Sequence, residues 1–356
     1  MENDLRLKPI GIGSLPHKNA QDAFEIVKKD FAQIPFFPQL ANLNRNEDMM
    51  SQFLEGLPSF SVENSQKFVL NSESDDFLME IEEFFSDYEE IISDINSPLL
   101  EKYAISPKCS STFVLFENFI KENKPLYAKG QIVGAFTLCT ALKDQNGTAI
   151  IYDETLKDIV LKLLILKVLW QIRRIKTANP DTIPIIFMDE PSVSQIGSSA
   201  YITISETQVI SMIDEISKII KNNGGLSAIH CCGKCDWRIP IRADLDIINF
   251  DTYTYAQNFI AYHREISKFL CNGGKIAWGF VPTCDGELLK HLSVDILSSK
   301  FRDCVKYLTD NGINEKLITD NSMITSSCGA CGLSIKDAQT AMDFVNELSG
   351  RLIKEE

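Results

Sequence analysis

Nowhere in the 356 residues does an uninterrupted apolar stretch approach the roughly 20 that a membrane-spanning helix needs. The opening Met1–Pro9 alternates charged and apolar residues and lacks the hydrophobic segment that directs secretion. Basic residues are also scarce: 35 Lys and Arg stand against 49 Asp and Glu, a formal net charge of -14. A surface of that sign repels phosphodiester backbones and anionic lipid, so neither nucleic acid nor membrane is an expected partner. No internal repeat or low-complexity linker divides the chain. These absences lead to the expectation of a cytoplasmic protein that works on small molecules or with other proteins.

Cysteine, by contrast, is present ten times, and half of these residues fall in two clusters: Cys231, Cys232 and Cys235, then Cys328 and Cys331. Without a secretion signal, such clusters bind metal or do chemistry more often than they form disulfides. Cys109, Cys139, Cys271 and Cys304 lie in apolar or helical surroundings and are expected in the core. Acidic residues crowd between Glu73 and Glu101, among them Asp75, Asp76, Glu82, Asp87 and Glu90, which reads as a solvated helical face.

From about residue 126 onward, short β-rich runs alternate with longer stretches of helical period, the pattern of parallel βα units. Strands are expected at Gly130–Phe136, Ile183–Met188, Leu226–His230, Ile247–Phe250, Lys275–Phe280 and Ser322–Thr325. Helices are expected at Leu156–Lys176, Glu206–Lys221, Ala256–Cys271, Leu288–Asp310 and Ile335–Leu348. The apolar runs Pro9–Leu15 and Ile34–Leu40, with a helix over Ala20–Phe31 between them, bring the strand count to eight. The expected fold class is therefore α/β, a single (β/α)8 TIM barrel over residues 1–356, with residues 42–125 a mostly helical insertion after the second strand.

In such a barrel the working residues sit at the C-terminal ends of the strands. His230-Cys231-Cys232 closes the fifth, and the alternation of a strand points His230 and Cys232 to one face. Imidazole and thiolate are good zinc ligands, and a tetrahedral site needs more than two. Cys328 and Cys331 follow the eighth strand, and Asp251 closes the sixth, where a carboxylate could ligate or orient a metal. The same residues admit two other readings. Cys232-x-x-Cys235 could be a redox pair. Cys232, Cys235, Cys328 and Cys331 could form a structural four-cysteine zinc site, which leaves His230 and Asp251 without a role. After the fourth strand, Asp189 could hold a substrate ammonium group, although Asp189-Glu190-Pro191 also reads as a plain helix start. Gly13 and Ser14 could bind a carboxylate through amides and hydroxyl, or simply turn the chain. His17 is either a proton carrier or a helix-start residue, while His263 and His291 are expected on helix surfaces.

Taken together, these elements resemble the cobalamin-independent methionine synthase family, specifically its C-terminal catalytic barrel. They are more distantly similar to the uroporphyrinogen decarboxylase-like barrels, the methylcorrinoid:coenzyme M methyltransferases among them. The segments that carry the resemblance are Ile12-Gly13-Ser14-Leu15-Pro16, Asp189-Glu190-Pro191, His230-Cys231-Cys232, Ile248-Asn249-Phe250-Asp251-Thr252 and Ser327-Cys328-Gly329. It runs from Gly11 to about Leu348 and is weakest between residues 42 and 125.

What the resemblance implies is a zinc-dependent S-methyltransferase that methylates a thiol, homocysteine giving methionine. His230 and Cys232 would be zinc ligands, with Asp251 standing where the family has a glutamate ligand. The last thiolate falls on Cys328 by register against the strand, or on Cys331 by the Cys331-Gly332-Leu333 triplet; strand register favours Cys328. Gly13 and Ser14 match the segment that holds the amino acid carboxylate, and Asp189 the acid that holds its ammonium, making His17 and Asp189 the catalytic candidates. The histidine that the family carries after its seventh strand is not found in Gly279–Asp285. A methylcorrinoid leaves without the proton that a folate amine requires, so a methylcorrinoid donor, carried by a corrinoid protein, is expected. Other readings are a coenzyme M-type methyltransferase, a uroporphyrinogen decarboxylase-like enzyme and a zinc-stabilised module that binds a corrinoid protein.

Overall fold

Six runs rich in β-branched and aromatic residues become one parallel sheet whose spatial order follows the chain. They are Tyr127–Val133, Ile183–Asp189, Leu226–Cys231, Ile247–Phe250, Lys275–Val281 and Ser322–Ser326. The structure is a computed structural model and describes residues 5–63 and 67–355, so the first four residues of the Met1–Pro9 reading lie outside the described part. The expected strand Gly130–Phe136 moves most. It begins at Tyr127 and yields at Gly134 to a helix over Ala135–Ala141, because the Glu190 carboxylate accepts from the Phe136 and Thr137 amides and caps that helix.

Pro9–Leu15 and Ile34–Leu40 do not form regular strands. Pro9, Pro35 and Pro38 have no amide to donate, so these segments are extended and held by single parallel bridges instead. Pro9 bridges to Ile324, Ser14 to Gln39 and Phe36 to Lys129. The bonds include Ile10 N to Ile324 O at 3.0 Å, Gln39 N to Gly13 O at 3.1 Å and Lys129 N to Pro35 O at 2.8 Å. The two extended segments therefore link the edges of a curled sheet, giving an α/β, barrel-like architecture.

Alternation divides each strand between two environments. On the inner face Ile185, Phe187, Ala228, Ile247, Ala277 and Met323 pack with Ile10 and Ile34 as a small apolar plug. Ile186, Ile229, Phe250, Trp278 and Ile324 point outward into the larger core shared with the helices. Continuing the inner parity toward the strand ends gives Asp189, His230, Asn249 and Thr325, so the polar residues sit above an apolar floor.

Several helices start where the side chain before them can accept from a free amide: Asn19 from Asp22, Asp153 from Leu156, Ser205 from Gln208, Ser293 from Ile296 and Asn314 from Leu317. The helix Glu154–Ala178 is apolar on nearly every side, which fits an element buried all round. It packs between the sheet and the 42–125 segment, and Arg174 forks onto Glu117 of that segment at 2.5 and 2.8 Å. Two expected helices divide: Ala256–Cys271 into Thr252–Ile260 and His263–Cys271, and Leu288–Asp310 into Gly286–Leu289 and Val294–Asp310.

The expectation that 42–125 is mostly helical is corrected in part. Helices Phe77–Ser93 and Phe113–Asn123 are joined by 3-10 turns and an antiparallel hairpin, Phe60–Glu63 with Lys67–Leu70. Lys143–Asp144 adds to the hairpin in parallel. The acidic run does form a largely solvated helical face; Asp87 is the exception, buried under Lys102 and Tyr103, each 2.9 Å away. Cys109, Cys139 and Cys304 are buried as expected, but Cys271 ends its helix on the exposed side. Among the described residues no helix is long and apolar enough to cross a membrane.

The outward-facing Trp278 is fully buried, donates to Ser322 Oγ at 2.9 Å and lies against Phe250, Phe259 and Phe280. Trp278→Ala is expected to lower unfolding stability by about 3–5 kcal/mol, the range for opening an aromatic-sized cavity. Ile353→Ala, at a 51% exposed position, should change it by under about 0.5 kcal/mol. Urea denaturation midpoints check both; equal effects would contradict this packing.

Candidate metal centre

Parallel register sets one row of side chains across the top of the sheet. Asp189 pairs with His230, and His230 with Asn249, on neighbouring strands. His230 Nδ1 meets Asn249 Oδ1. Asn249 must present its oxygen there, because its Nδ2 already donates to Ala277 O at 2.7 Å and Thr325 Oγ1 at 2.8 Å. The Nδ1 of His230 therefore carries a proton, and Nε2 is the nitrogen left to bind. Nε2 is buried and has no oxygen or nitrogen partner.

Two thiols face that nitrogen. One ligand atom each from His230, Cys232 and Cys328 lies within 4.8 Å of the others, the cluster of this kind among the described residues. Cys232 comes from the end of the Leu226–Cys231 strand. Cys328 comes from the turn after Ser322–Ser326, where its carbonyl accepts from Ser326 Oγ at 2.8 Å and Thr283 Oγ1 at 3.0 Å. The turn packs so closely on the first segment that a Cβ at Gly329 would fall 2.0 Å from Ser14 Oγ. Ala330 N also donates to Ser14 O at 2.8 Å.

The electrostatics of the cluster are those of a site primed for a cation. A hydrogen bond from Cys328, and then His230, hold the Cys232 thiol down at about 4. The same contact, with burial, pushes Cys328 up. Burial works to depress His230, but the Cys232 sulfur and Asp189 outweigh it and raise the imidazole to about 9. One imidazole and two sulfurs suit a soft or borderline-soft divalent ion, and three protein donors leave a tetrahedral position for a further ligand.

The other expected residues divide. Asp189 is buried beside the cluster, and its Oδ1 has no hydrogen-bond partner. Burial raises its carboxyl, while Lys129 and His230 pull it back. Ser14 lines the same cavity, of about 240 Å³, together with His230, Cys232 and Cys328; Glu47 and Met49 of the 42–125 segment also line it. Gly13 does not line the cavity; its carbonyl accepts from Gln39 N and pairs the two irregular segments. Asp251 does not join the cluster: its carboxylate caps the following helix by accepting from Thr254 N at 2.9 Å. Cys331 also lines the cavity, but its sulfur lies outside the cluster of three, so the strand-register choice of Cys328 matches the geometry. His17 is buried, does not line the cavity, and its Nδ1 has no hydrogen-bond partner. His263 is half-buried and His291 exposed. Neither alternative use of the cysteines matches the arrangement. The outward-facing Cys231, between the two ligands, has the Cys235 thiol as its partner, so Cys232 and Cys235 are not a pair.

Three residues of the site went unread in the sequence. Asn249 fixes the imidazole. Lys129, fully buried on the inner face, donates to Ile12 O and to Gln131 Oε1, and burial lowers its ammonium to about 8. Gln131 Nε2 in turn donates to Phe37 O at 3.0 Å, so this strand holds both irregular segments. Their signal was a lysine and a glutamine at alternate positions of an otherwise apolar run. Glu190 does not start its own helix; burial raises it to about 7, and it serves the neighbouring cap.

No family model matches the chain, and no curated protein matches it. Among solved structures it is similar to the Cellulomonas fimi endo-beta-1,4-mannanase double mutant, with a TM-score of 0.40 and 14% identity over 65% of this chain. The chain spans 57% of the length of that protein. It is also similar to the catalytic domain of Bacillus sp. JAMB-750 GH26 endo-beta-1,4-mannanase, with a TM-score of 0.39 and 11% identity over 97% of this chain and 94% of that one. Likeness at this level carries no argument about activity.

At neutral pH the metal-free cluster holds one proton on Cys328 and a second on the imidazole, with Cys232 already thiolate. Binding a divalent ion is therefore expected to release about two protons between pH 5 and 8, and affinity to fall roughly 100-fold for each pH unit lost. Calorimetric titration with Zn²⁺ in buffers of different ionisation enthalpy measures this; release of none would contradict the assignment. With Co²⁺, thiolate charge-transfer absorption should fall by about half in Cys328→Ser and be unchanged in Cys331→Ser.

Proposed function

We propose that this chain is a zinc-dependent S-methyltransferase that moves a methyl group to the thiol of homocysteine, giving methionine, with a methylcorrinoid as donor. The supporting observation is the buried His230 Nε2, without an oxygen or nitrogen partner and facing Cys232 and Cys328, with Asp189 Oδ1 lacking a hydrogen-bond partner on the neighbouring strand. The reading includes a closed (β/α)8 barrel, in which Pro9–Leu15 and Ile34–Leu40 serve as the first two strands, and a cytoplasmic location.

His230, Cys232 and Cys328 would hold the zinc. Bound there, the ion supplies Lewis acidity that keeps an incoming sulfur as thiolate at neutral pH, where a free thiol is mostly protonated. The protein's own residues do the rest. Asn249 keeps the imidazole from rotating away from its ligand geometry. Asp189 takes the substrate ammonium, a cation that satisfies its open Oδ1. Lys129, held on Ile12 O, keeps Asp189 from being neutralised by burial alone. Ser14, at the cavity wall, receives the substrate carboxylate. The cavity of about 240 Å³ that Glu47 and Met49 help to line is mostly apolar, a setting that favours the nucleophilic sulfur over competing water.

The test is turnover by the zinc-loaded protein with methylcobalamin and a panel of thiols. Homocysteine is expected to be methylated, and Asp189→Asn to raise its KM at least tenfold without loss of zinc. A thiol without an ammonium group, such as coenzyme M, should lose less than twofold on the same substitution. Turnover with methyltetrahydrofolate and none with methylcobalamin would reject the donor. Retained zinc in both His230→Ala and Cys232→Ser would reject the centre.

A further inference from the structure

A second cavity, of about 400 Å³, lies wholly within the 42–125 segment and contains none of the residues of the metal centre. The 3-10 turn Arg45–Glu47 stands between the two: Arg45 and Asn46 line the second cavity, Glu47 the first. The walls are apolar, built from Leu54, Leu57, Val62 and the ring pair Phe60 and Phe68, whose centroids are 6.0 Å apart. Val62 is 52% exposed, an apolar side chain held open to solvent on the hairpin.

Of the three charged side chains in the lining, two are cationic. Arg45 and Lys108 border the cavity, and neither side chain has an acidic partner among the described residues. The one carboxylate on the wall, Glu55, is already engaged: it accepts from Ser106 N at 3.0 Å and Ser106 Oγ at 2.8 Å. It also faces the buried Lys167 ammonium, which itself donates to Ala104 O at 3.0 Å. In a chain carrying 14 more acidic than basic residues, two unneutralised cations beside an apolar hollow form a local reversal of charge.

We propose that this cavity is a binding site for a small amphipathic anion, a molecule with a flat apolar body and one carboxylate, sulfonate or phosphate group. The body would lie against Phe60 and Phe68, and the anion would meet Arg45 and Lys108. The volume falls in the range of small-molecule sites, and guanidinium with ammonium is the pairing that recognises such groups. The site stands independently of the zinc reading.

The probe is 8-anilinonaphthalene-1-sulfonate, titrated into the full chain and followed by fluorescence, with N-phenyl-1-naphthylamine as its uncharged counterpart. Wild type is expected to bind the sulfonate saturably at one site. The double variant Arg45→Ala/Lys108→Ala should weaken the sulfonate at least tenfold and the uncharged amine less than twofold. Both substituted residues are exposed, so the fold should persist, which a thermal melt verifies. Phe68→Ala should weaken both probes. Unsaturable binding, an unchanged sulfonate affinity in the double variant, or equal weakening of both probes there would each overturn the proposal.

Discussion

The arrangement rests on the bond between His230 and Asn249. Neighbouring parallel strands place these residues opposite one another, and the Asn249 amide is fixed by two acceptors, Ala277 O and Thr325 Oγ1, on the next strands of the sheet. Four consecutive strands thus share in orienting one imidazole. A shift of one residue in any of them would turn its side chain to the opposite face and expose an apolar group where a polar one is needed. The register that closes the apolar plug below is therefore the register that aims the ligand nitrogen above.

Charge is organised around the same row. Asp189 is a buried carboxylate without a hydrogen-bond donor, and its tolerance depends on Lys129 below and His230 beside it. Lys129 is itself stabilised by a carbonyl and an amide oxygen and by the face of Phe187, 4.9 Å from its nitrogen. The lysine also ties the irregular segment that ends in Ser14 to the regular sheet. Anchoring that segment and setting the polarity of the cavity are thus tasks shared by one side chain.

Much of this was legible beforehand. Five of the expected strands lie within one residue of those observed at each end, because each is a short apolar run bounded by glycine, proline or a cap. Alternation put His230 and Cys232 on one face, and strand register favoured Cys328 over Cys331 once the family resemblance called for a third ligand. Pro9–Leu15 and Ile34–Leu40 could be read as extended, but not as segments held by single bridges, since local pattern carries no information on which partner supplies the bond. Asp251 looked like a ligand because it ends a strand; it is also the residue before a helix, and the nearby Thr254 amide captures it.

The sequence by itself determined the alternating strand and helix pattern, the acidic surface and the two cysteine clusters, because these follow from periodicity and residue chemistry within a few positions. Only the tertiary structure decided which thiols meet the imidazole, that Cys235 turns to Cys231, that His17 stands outside the cavity, and that a buried lysine lies beneath the site. Apart from the Cys231–Cys235 contact, which spans four positions, each of those depends on distances between residues tens to hundreds of positions apart. Such distances are set by sheet register and by the packing of turns such as Gly329 on Ser14, and no local propensity encodes them.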